Sequence, residues 1–394
     1  MVVVTGIGLS SSLGGSLETS WQNLIDGKSG IKLSQPFIEL VPRPLALISE
    51  SPAQLTKLTR FVVASALKDA LLTPPLPECG VVIGSSRSYQ ASWEEQVRQL
   101  GSRQLSAKIG GQKRDSLVLE DWLDTLPHMN AIAAARQIGS NGVVLAPMNA
   151  CATGIWAIAQ AALLIETGQC QQVLAGAVET PITPLTLAGF KQMGALASTG
   201  AYPFDCHREG LVLGEGAALL MLESVESAKQ RSAKVYGQVL GFSLTNDAYN
   251  ATALEPSGRS AIAAVKQCLD RSNLTLADID YIHAHGTATR LNDKHEAELI
   301  GHLFPQGVPV SSTKGATGHT LGASGALGAA FCLMALHEQI MPPCVGLQTP
   351  EFDLDLVTVP RRGEIKHVLC FSFGFGGQNA VLALGRREGL GARS

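Results

Sequence analysis

The sequence predicts an α/β protein of two similar halves, and three observations carry that prediction. Apolar runs of strand length alternate with helical stretches from one end of the chain to the other. The 394 residues are 45% hydrophobic and only 16% charged, enough to bury a large core. The element order before residue 233 is similar to the order after it, so the halves are placed at 1–233 and 234–394, with no linker rich in Pro or Ser between them. Composition also excludes function classes. A net charge of −3 argues against nucleic acid as the main partner. Eight irregularly spaced cysteines, with no C-x-x-C pair and no secretory leader, argue against a disulfide framework or structural zinc and point to a reducing, cytoplasmic setting. No run approaches 18 apolar residues, so no membrane span is expected.

Taken in order, Val2 to Thr5 is an opening core strand, and Gly6-Ile-Gly8 a turn out of it. A dinucleotide site there is disfavoured, because Ser11 stands where a third glycine belongs. A helix from Ser16 to Leu24 closes at Asp26-Gly27, and residues 31–52 are loop-like. The helix from Leu55 to Leu71 carries Lys57 and Arg60 near its start, against the dipole preference, which fits a solvated face. Gly80 to Gly84 is a buried strand. Ser85 to Asp121 is polar and irregular, with a basic, Gly-rich loop over 102–114, and is expected to cover or line something. Val143 to Pro147 is a strand, Ala152 to Thr167 a buried helix and Gln172 to Ala177 another strand. Leu211 to Leu222 reads as two strand segments bent at Gly214 and Gly216. A helix from Ser224 to Ser232 ends the first half. The second half alternates strand Tyr236 to Ser243, helix Ser260 to Ser272, strand Asp280 to His285, helix Asp293 to Leu303 and strand Val308 to Ser311. A helix after Gly318 and closing strands Val368 to Phe373 and Ala380 to Gly385 complete it.

The chemistry is concentrated in a few places. Cys151, in Asn149-Ala-Cys-Ala-Thr-Gly154, falls at the first turn of a helix, where unpaired N–H groups and the dipole favour thiolate. A buried, inert thiol is the competing reading, and position alone leaves both open. His285 ends a strand, where α/β active sites gather, while His283 lies deeper on the same face and reads as a core residue. Asp293 and Glu296 resemble a capping box, a sufficient structural role. Lys314 and His319 follow another short strand, and Phe373-Gly-Phe-Gly-Gly377 is by itself no more than a glycine turn. Together, a thiol, two imidazoles, a lysine and a flexible turn suit carbon–carbon bond formation on thioesters.

At this point the motifs resemble a family, the β-ketoacyl-acyl-carrier-protein synthases of the elongating, two-histidine type. Asn149 to Gly154 resembles the nucleophile motif, Ala284 to Thr289 the first histidine motif, Ser312 to His319 the lysine and second histidine motif, and Phe373 to Gly377 the gating loop. The resemblance runs from Val2 to about Gly385 and implies a thiolase-like fold of two duplicated halves, layered α-β-α-β-α, in a homodimer. It implies that Cys151 takes the acyl chain, that His285 and His319 bind the malonyl thioester carbonyl, and that Lys314 orders the site. It further implies that the amides of Cys151 and Phe375 form the oxyanion hole, with the Phe375 ring as gate. Thr287 and Thr289 would contact the phosphopantetheine arm, and Phe373 and Gly376 would belong to the substrate-binding wall. The implied partner is an acyl carrier protein, docking at Lys57 and Arg60. No metal or resident cofactor is expected, since the substrates ride on the carrier's phosphopantetheine.

Three departures stand out. Arg290 replaces a frequent Pro, Gly328 replaces a usual Glu and so removes the expected partner of Lys314, and residues 85–121 do not follow the housekeeping members. They suggest a specialised synthase. A thiolase acting on coenzyme A esters is the nearest alternative, disfavoured because Cys370 lacks the pattern of a second catalytic cysteine. Starter-condensing synthases carry an Asn where this chain has His285. A chain-length-setting subunit lacks the nucleophile that Cys151 supplies, although the chain could be the catalytic half of such a pair.

Overall fold

The computed structural model of the protein describes residues 1–110 and 122–386, with backbone alone for 101–110. The first half runs β1 (Val2–Ser11), α1 (Leu17–Ile25), β2 (Lys32–Ser34), β3 (Arg43–Leu45), α2 (Leu55–Asp69), β4 (Gly80–Gly84), α3 (Gln90–Gly110), α4 (Met129–Ile138), β5 (Val144–Leu145), α5 (Thr153–Glu166), β6 (Gln172–Glu179), α6 (Pro184–Gln192), β7 (Gly216–Ser224) and α7 (Val225–Gln230). The second runs β8 (Gly237–Asn246), α8 (Arg259–Ser272), β9 (Tyr281–His283), α9 (Arg290–Leu303), β10 (Val310–Ser311), α10 (Lys314–Thr317), α11 (Ser324–Glu338), β11 (Ile340–Met341), β12 (Arg361–Arg362), β13 (His367–Gly374) and β14 (Gln378–Gly385).

Ten strands join in one sheet, ordered β10-β9-β13-β14-β8-β1-β7-β6-β4-β5. Outward from the β1–β8 pairing, each side makes two antiparallel steps and then two parallel ones. The two halves therefore repeat one topology. Helices α5 and α11 pack on each other and touch strands of both halves, α2 and α4 cover the outer face of the first, and α8 and α9 that of the second. This is the α-β-α-β-α layering.

Sequence decides which helices go where. Every residue of α11 from Ser324 to Leu336 is buried, and α5, at least as apolar, is buried over most of its length; a helix apolar all round belongs inside. By contrast α2 and α8 bury one face only. The 18 residues Leu321–Glu338, mean hydropathy 1.3, are long and apolar enough to cross a membrane, but 89% of that window is buried in the protein. Contact between the two central helices depends on Gly154, where a Cβ would lie 2.4 Å from the Ala326 nitrogen.

Several local expectations are corrected. Gly6 and Gly8 form no turn: β1 continues through them after a bulge at Thr5, and they are glycines because α2 crosses there, with Val62 O 2.2 Å from a Cβ at Gly8. Residues 31–52 include the ribbon β2–β3. Residues 85–121 are not irregular throughout, since Gln90–Gly110 is helical; the remainder of that expected loop, 111–121, lies outside the described residues.

Candidate active site

Cys151 sits in a single tight turn, Ala150–Ala152, directly ahead of α5. The turn is fastened from both sides. Thr153 Oγ1 accepts from the Asn149 N–H at 2.8 Å and donates to Ala150 O at 2.7 Å, while Ser372 Oγ of β13 donates to Cys151 O at 2.8 Å. At Gly374, where β13 ends, a Cβ would stand 3.1 Å from both Asn149 O and Cys151 N, so glycine lets the strand end abut the turn without displacing it. The next residue's amide, Phe375 N–H, favours charge on the Cys151 sulfur. Cys151 is 6% exposed, and burial pushes its thiol up to about 11, against the opposing pull of the Lys314 and Arg87 charges. Position in the sequence leaves thiol and thiolate both open, and burial favours the thiol at rest.

Two imidazoles face it. The ligating atoms of Cys151, His285 and His319 all lie within 4.8 Å of one another, and the two rings meet edge to face with centroids 5.4 Å apart. His319 Nδ1 accepts the Leu321 N–H at 3.2 Å, which fixes the proton on Nε2; Ser324 Oγ lies 2.9 Å from the same nitrogen. Burial, and then the nearby Lys314 charge, holds both rings well below the ordinary histidine value, so both are neutral.

Behind His285 stands a buried charge cluster. Lys314 donates to His285 O, and its Nζ lies 3.4 Å from His285 Nδ1. Burial lowers the Lys314 ammonium, and the carboxylate that most opposes this is Glu296. The loss of a Glu at Gly328 therefore does not leave Lys314 without a counter-charge. No larger side chain fits there, since a Cβ at Gly328 would be 2.8 Å from His283 Cε1.

The capping-box reading of Asp293 and Glu296 is also corrected. Thr289 caps α9, and both acids turn inward. Glu296 accepts the His285 and Gly286 N–H groups at 2.6 and 2.7 Å; Asp293 accepts those of Phe204 and Ala288 at 2.8 and 3.2 Å. Burial pushes Glu296 up to about 7 and Asp293 to about 6. Arg208, also buried and not singled out in the sequence, donates to Glu351 and to the carbonyls of Thr289 and Arg290, closing the loop from outside. An acid at each of positions 8 and 11 after a strand-end histidine was the visible signal; what those acids touch is a tertiary fact.

A cavity of about 510 Å³ joins the pieces, with Cys151, His285, His319, Thr287, Thr289, Phe373, Phe375 and Gly376 in its wall. Lys314 sits one layer back, against His285. The Thr287 and Thr289 hydroxyls are 2.9 Å apart. The Phe373 ring lies 5.9 Å from His285, and the Phe375 ring, 36% exposed, lies 6.1 Å from Phe190. Phe190 is a wall residue that the sequence did not mark. His283 stays in the core, 3.1 Å from Thr313 Oγ1 and 3.8 Å from Cys370 Sγ. Lys57 and Arg60 are on the exposed face of α2.

A thiol between two neutral donor rings, beside a strand-end amide, can hold an acyl group and polarise a second carbonyl. Residues 48–228 match the beta-ketoacyl synthase N-terminal domain and residues 236–348 the beta-ketoacyl synthase C-terminal domain. The chain is 32% identical to 3-oxoacyl-[acyl-carrier-protein] synthase 2 of Staphylococcus aureus (strain COL), over 98% of each protein. It superposes with TM-score 0.90 and 28% identity on a chain of AntDE:AntF, a type II PKS acyl-carrier protein in complex with its ketosynthase bound to the hexaketide, covering 98% of this chain and 99% of that one. With the ishigamide ketosynthase/chain length factor the TM-score is 0.88 at 27% identity, with the same coverage. The fold is thiolase-like, and the chain belongs to the beta-ketoacyl synthase family.

Proposed function

We propose that the protein condenses an acyl group with malonyl-acyl-carrier protein. The observation that carries this reading is Cys151 set against two buried, neutral imidazoles in one cavity. In the first half-reaction the Cys151 sulfur attacks the carrier thioester; a new thioester forms and the carrier's thiol leaves. The amides of Cys151 and Phe375 stabilise the oxyanion. In the second, the malonyl group loses carbon dioxide, and the resulting enolate attacks the Cys151 thioester carbonyl. The C–C bond forms as the S–C bond breaks. His319, protonated at Nε2, donates to the developing enolate oxygen. The His285 tautomer follows Lys314: an ammonium beside Nδ1 sets the proton on Nε2, making a second donor. Thr287 and Thr289 guide the phosphopantetheine arm, and Phe375 gates the acyl side with Phe373 and Gly376.

The acyl carrier protein docks beside α2, whose exposed Lys57 and Arg60 suit an acidic partner. No metal or resident cofactor takes part, because the acyl groups arrive on the carrier's arm. A second copy of the chain pairs through the sheet edge at β5, a half-exposed apolar strand. The likeness to a ketosynthase/chain length factor supports a second reading, the catalytic half of a heterodimer. Eight free cysteines suit a reducing cytoplasm. The test is intact mass of wild type and Cys151→Ala after exposure to acyl-carrier thioesters. One acyl adduct in wild type only is expected; no adduct from any carrier would overturn the reading.

A further inference from the structure

Against Phe190, a wall residue of the cavity, lies a cation with no ion-pair partner among the described residues. Arg87 lies on the loop after β4, and its backbone is fixed by Glu179, fully buried, which accepts the Ser86 and Arg87 N–H groups at 2.6 and 2.9 Å. The Ser85 and Ser86 hydroxyls and the Gly322 N–H complete the ring around that carboxylate. Its guanidinium carbon is 5.8 Å from the Phe190 ring, and Phe190 borders the cavity with Cys151 and leans on Phe375.

Among the described residues nothing accepts from Arg87 Nε, although that atom is buried. Nearby carboxylates are engaged elsewhere. Glu179 is saturated as described, and Glu94 accepts from Gln90 Nε2 and the Leu185 N–H. The hydrophobic cluster that includes Cys151 also holds Ile182, Leu187, Leu211 and Leu321. A saturated chain passing Phe190 would strip water from a guanidinium and offer it nothing; an oxygen acceptor on the chain would satisfy it. At the start of α6, the helix that carries Phe190, Gln90 Nε2 donates to the Thr183 and Thr186 hydroxyls at 3.0 and 2.9 Å.

We propose that Arg87 is a specificity-determining residue, and that the acyl groups this enzyme extends carry an acceptor oxygen beyond the thioester, which the Arg87 guanidinium binds once Phe375 moves aside. The proposal rests on the condensing reading above. Cys151 loading is followed by intact mass for wild type, Arg87→Leu and Arg87→Lys, with carrier thioesters of octanoate, 7-hydroxyoctanoate, 7-oxooctanoate and suberate. Wild type is expected to load oxygenated chains about tenfold or more faster than octanoyl, with suberate first if the acceptor is anionic and the 7-oxo or 7-hydroxy chain first if it is neutral. Arg87→Leu is expected to lose about 10- to 100-fold on oxygenated chains relative to octanoyl, the worth of a charged hydrogen bond, on top of a smaller loss shared by all chains that reports the Arg87 charge acting on Cys151. Arg87→Lys, with charge but no fork, falls between. Equal preference in wild type and Arg87→Leu, or an equal loss on every chain, overturns the assignment. Failure of wild type to load any chain would instead sink the condensing reading itself.

Discussion

Replacing Glu296 by Gln should leave the protein folded and cripple condensation, and the magnitudes follow from its surroundings. Glu296 is 2% exposed, and its two oxygens serve the His285 and Gly286 amides. A glutamine keeps one acceptor, so one buried N–H is left facing an NH2 group, at a cost of about 1–3 kcal/mol. Against this, burial has moved the carboxyl from 4.5 to about 7, equivalent to about 3 kcal/mol against its charged form, which a neutral amide does not carry. The two terms nearly offset. With an unfolding entropy of about 0.8 kcal/mol/K for a chain of this length, a net change within about 2 kcal/mol moves Tm by no more than about 3 °C. Catalysis has no such compensation: Lys314 loses the carboxylate that most favours its charge, and the loop bearing His285 shifts. Condensation should fall about 10- to 100-fold, the range of a misplaced catalytic group. Loading of Cys151, which uses the amides at the other side of the cavity, should fall far less. Calorimetry and separate assays of loading and carbon dioxide release decide it. Condensation near the wild-type rate, or a Tm loss beyond about 10 °C, would refute the reasoning.

Two further outcomes follow. A Cys151 thiol pushed up to about 11 is about one part in ten thousand thiolate at pH 7, so its alkylation by iodoacetamide should accelerate about tenfold per pH unit from 7 to 9. Peptide mapping separates this from exposed Cys206, and a plateau below pH 8 would contradict the burial argument. Reversing Lys57 and Arg60 together to Glu should raise KM for carrier-bound substrate several-fold while leaving KM for the matching small pantetheine thioester unchanged; an unaltered carrier KM rules out docking at that face.

Much of the architecture was legible because burial writes itself into composition. The all-apolar α5 and α11 could lie only between layers, and four motifs in order located the cavity before any contact was known. What escaped were facts of tertiary packing. Gly6 and Gly8 look like a turn until a helix crosses them, and Asp293 and Glu296 look like a cap until their oxygens are seen on the His285 loop. The resting state of Cys151 stayed open for the same reason. A helix terminus is visible in sequence, whereas the depth at which it is buried is not.

The most direct test of the central claim is a single turnover of acyl-loaded enzyme with carboxyl-labelled malonyl-carrier protein, in wild type, His285→Ala and His319→Ala. The account predicts that all three accept the acyl group on Cys151. It predicts that only wild type releases labelled carbon dioxide in step with loss of the acyl adduct. Discharge of the adduct at the wild-type rate by either histidine variant would contradict it.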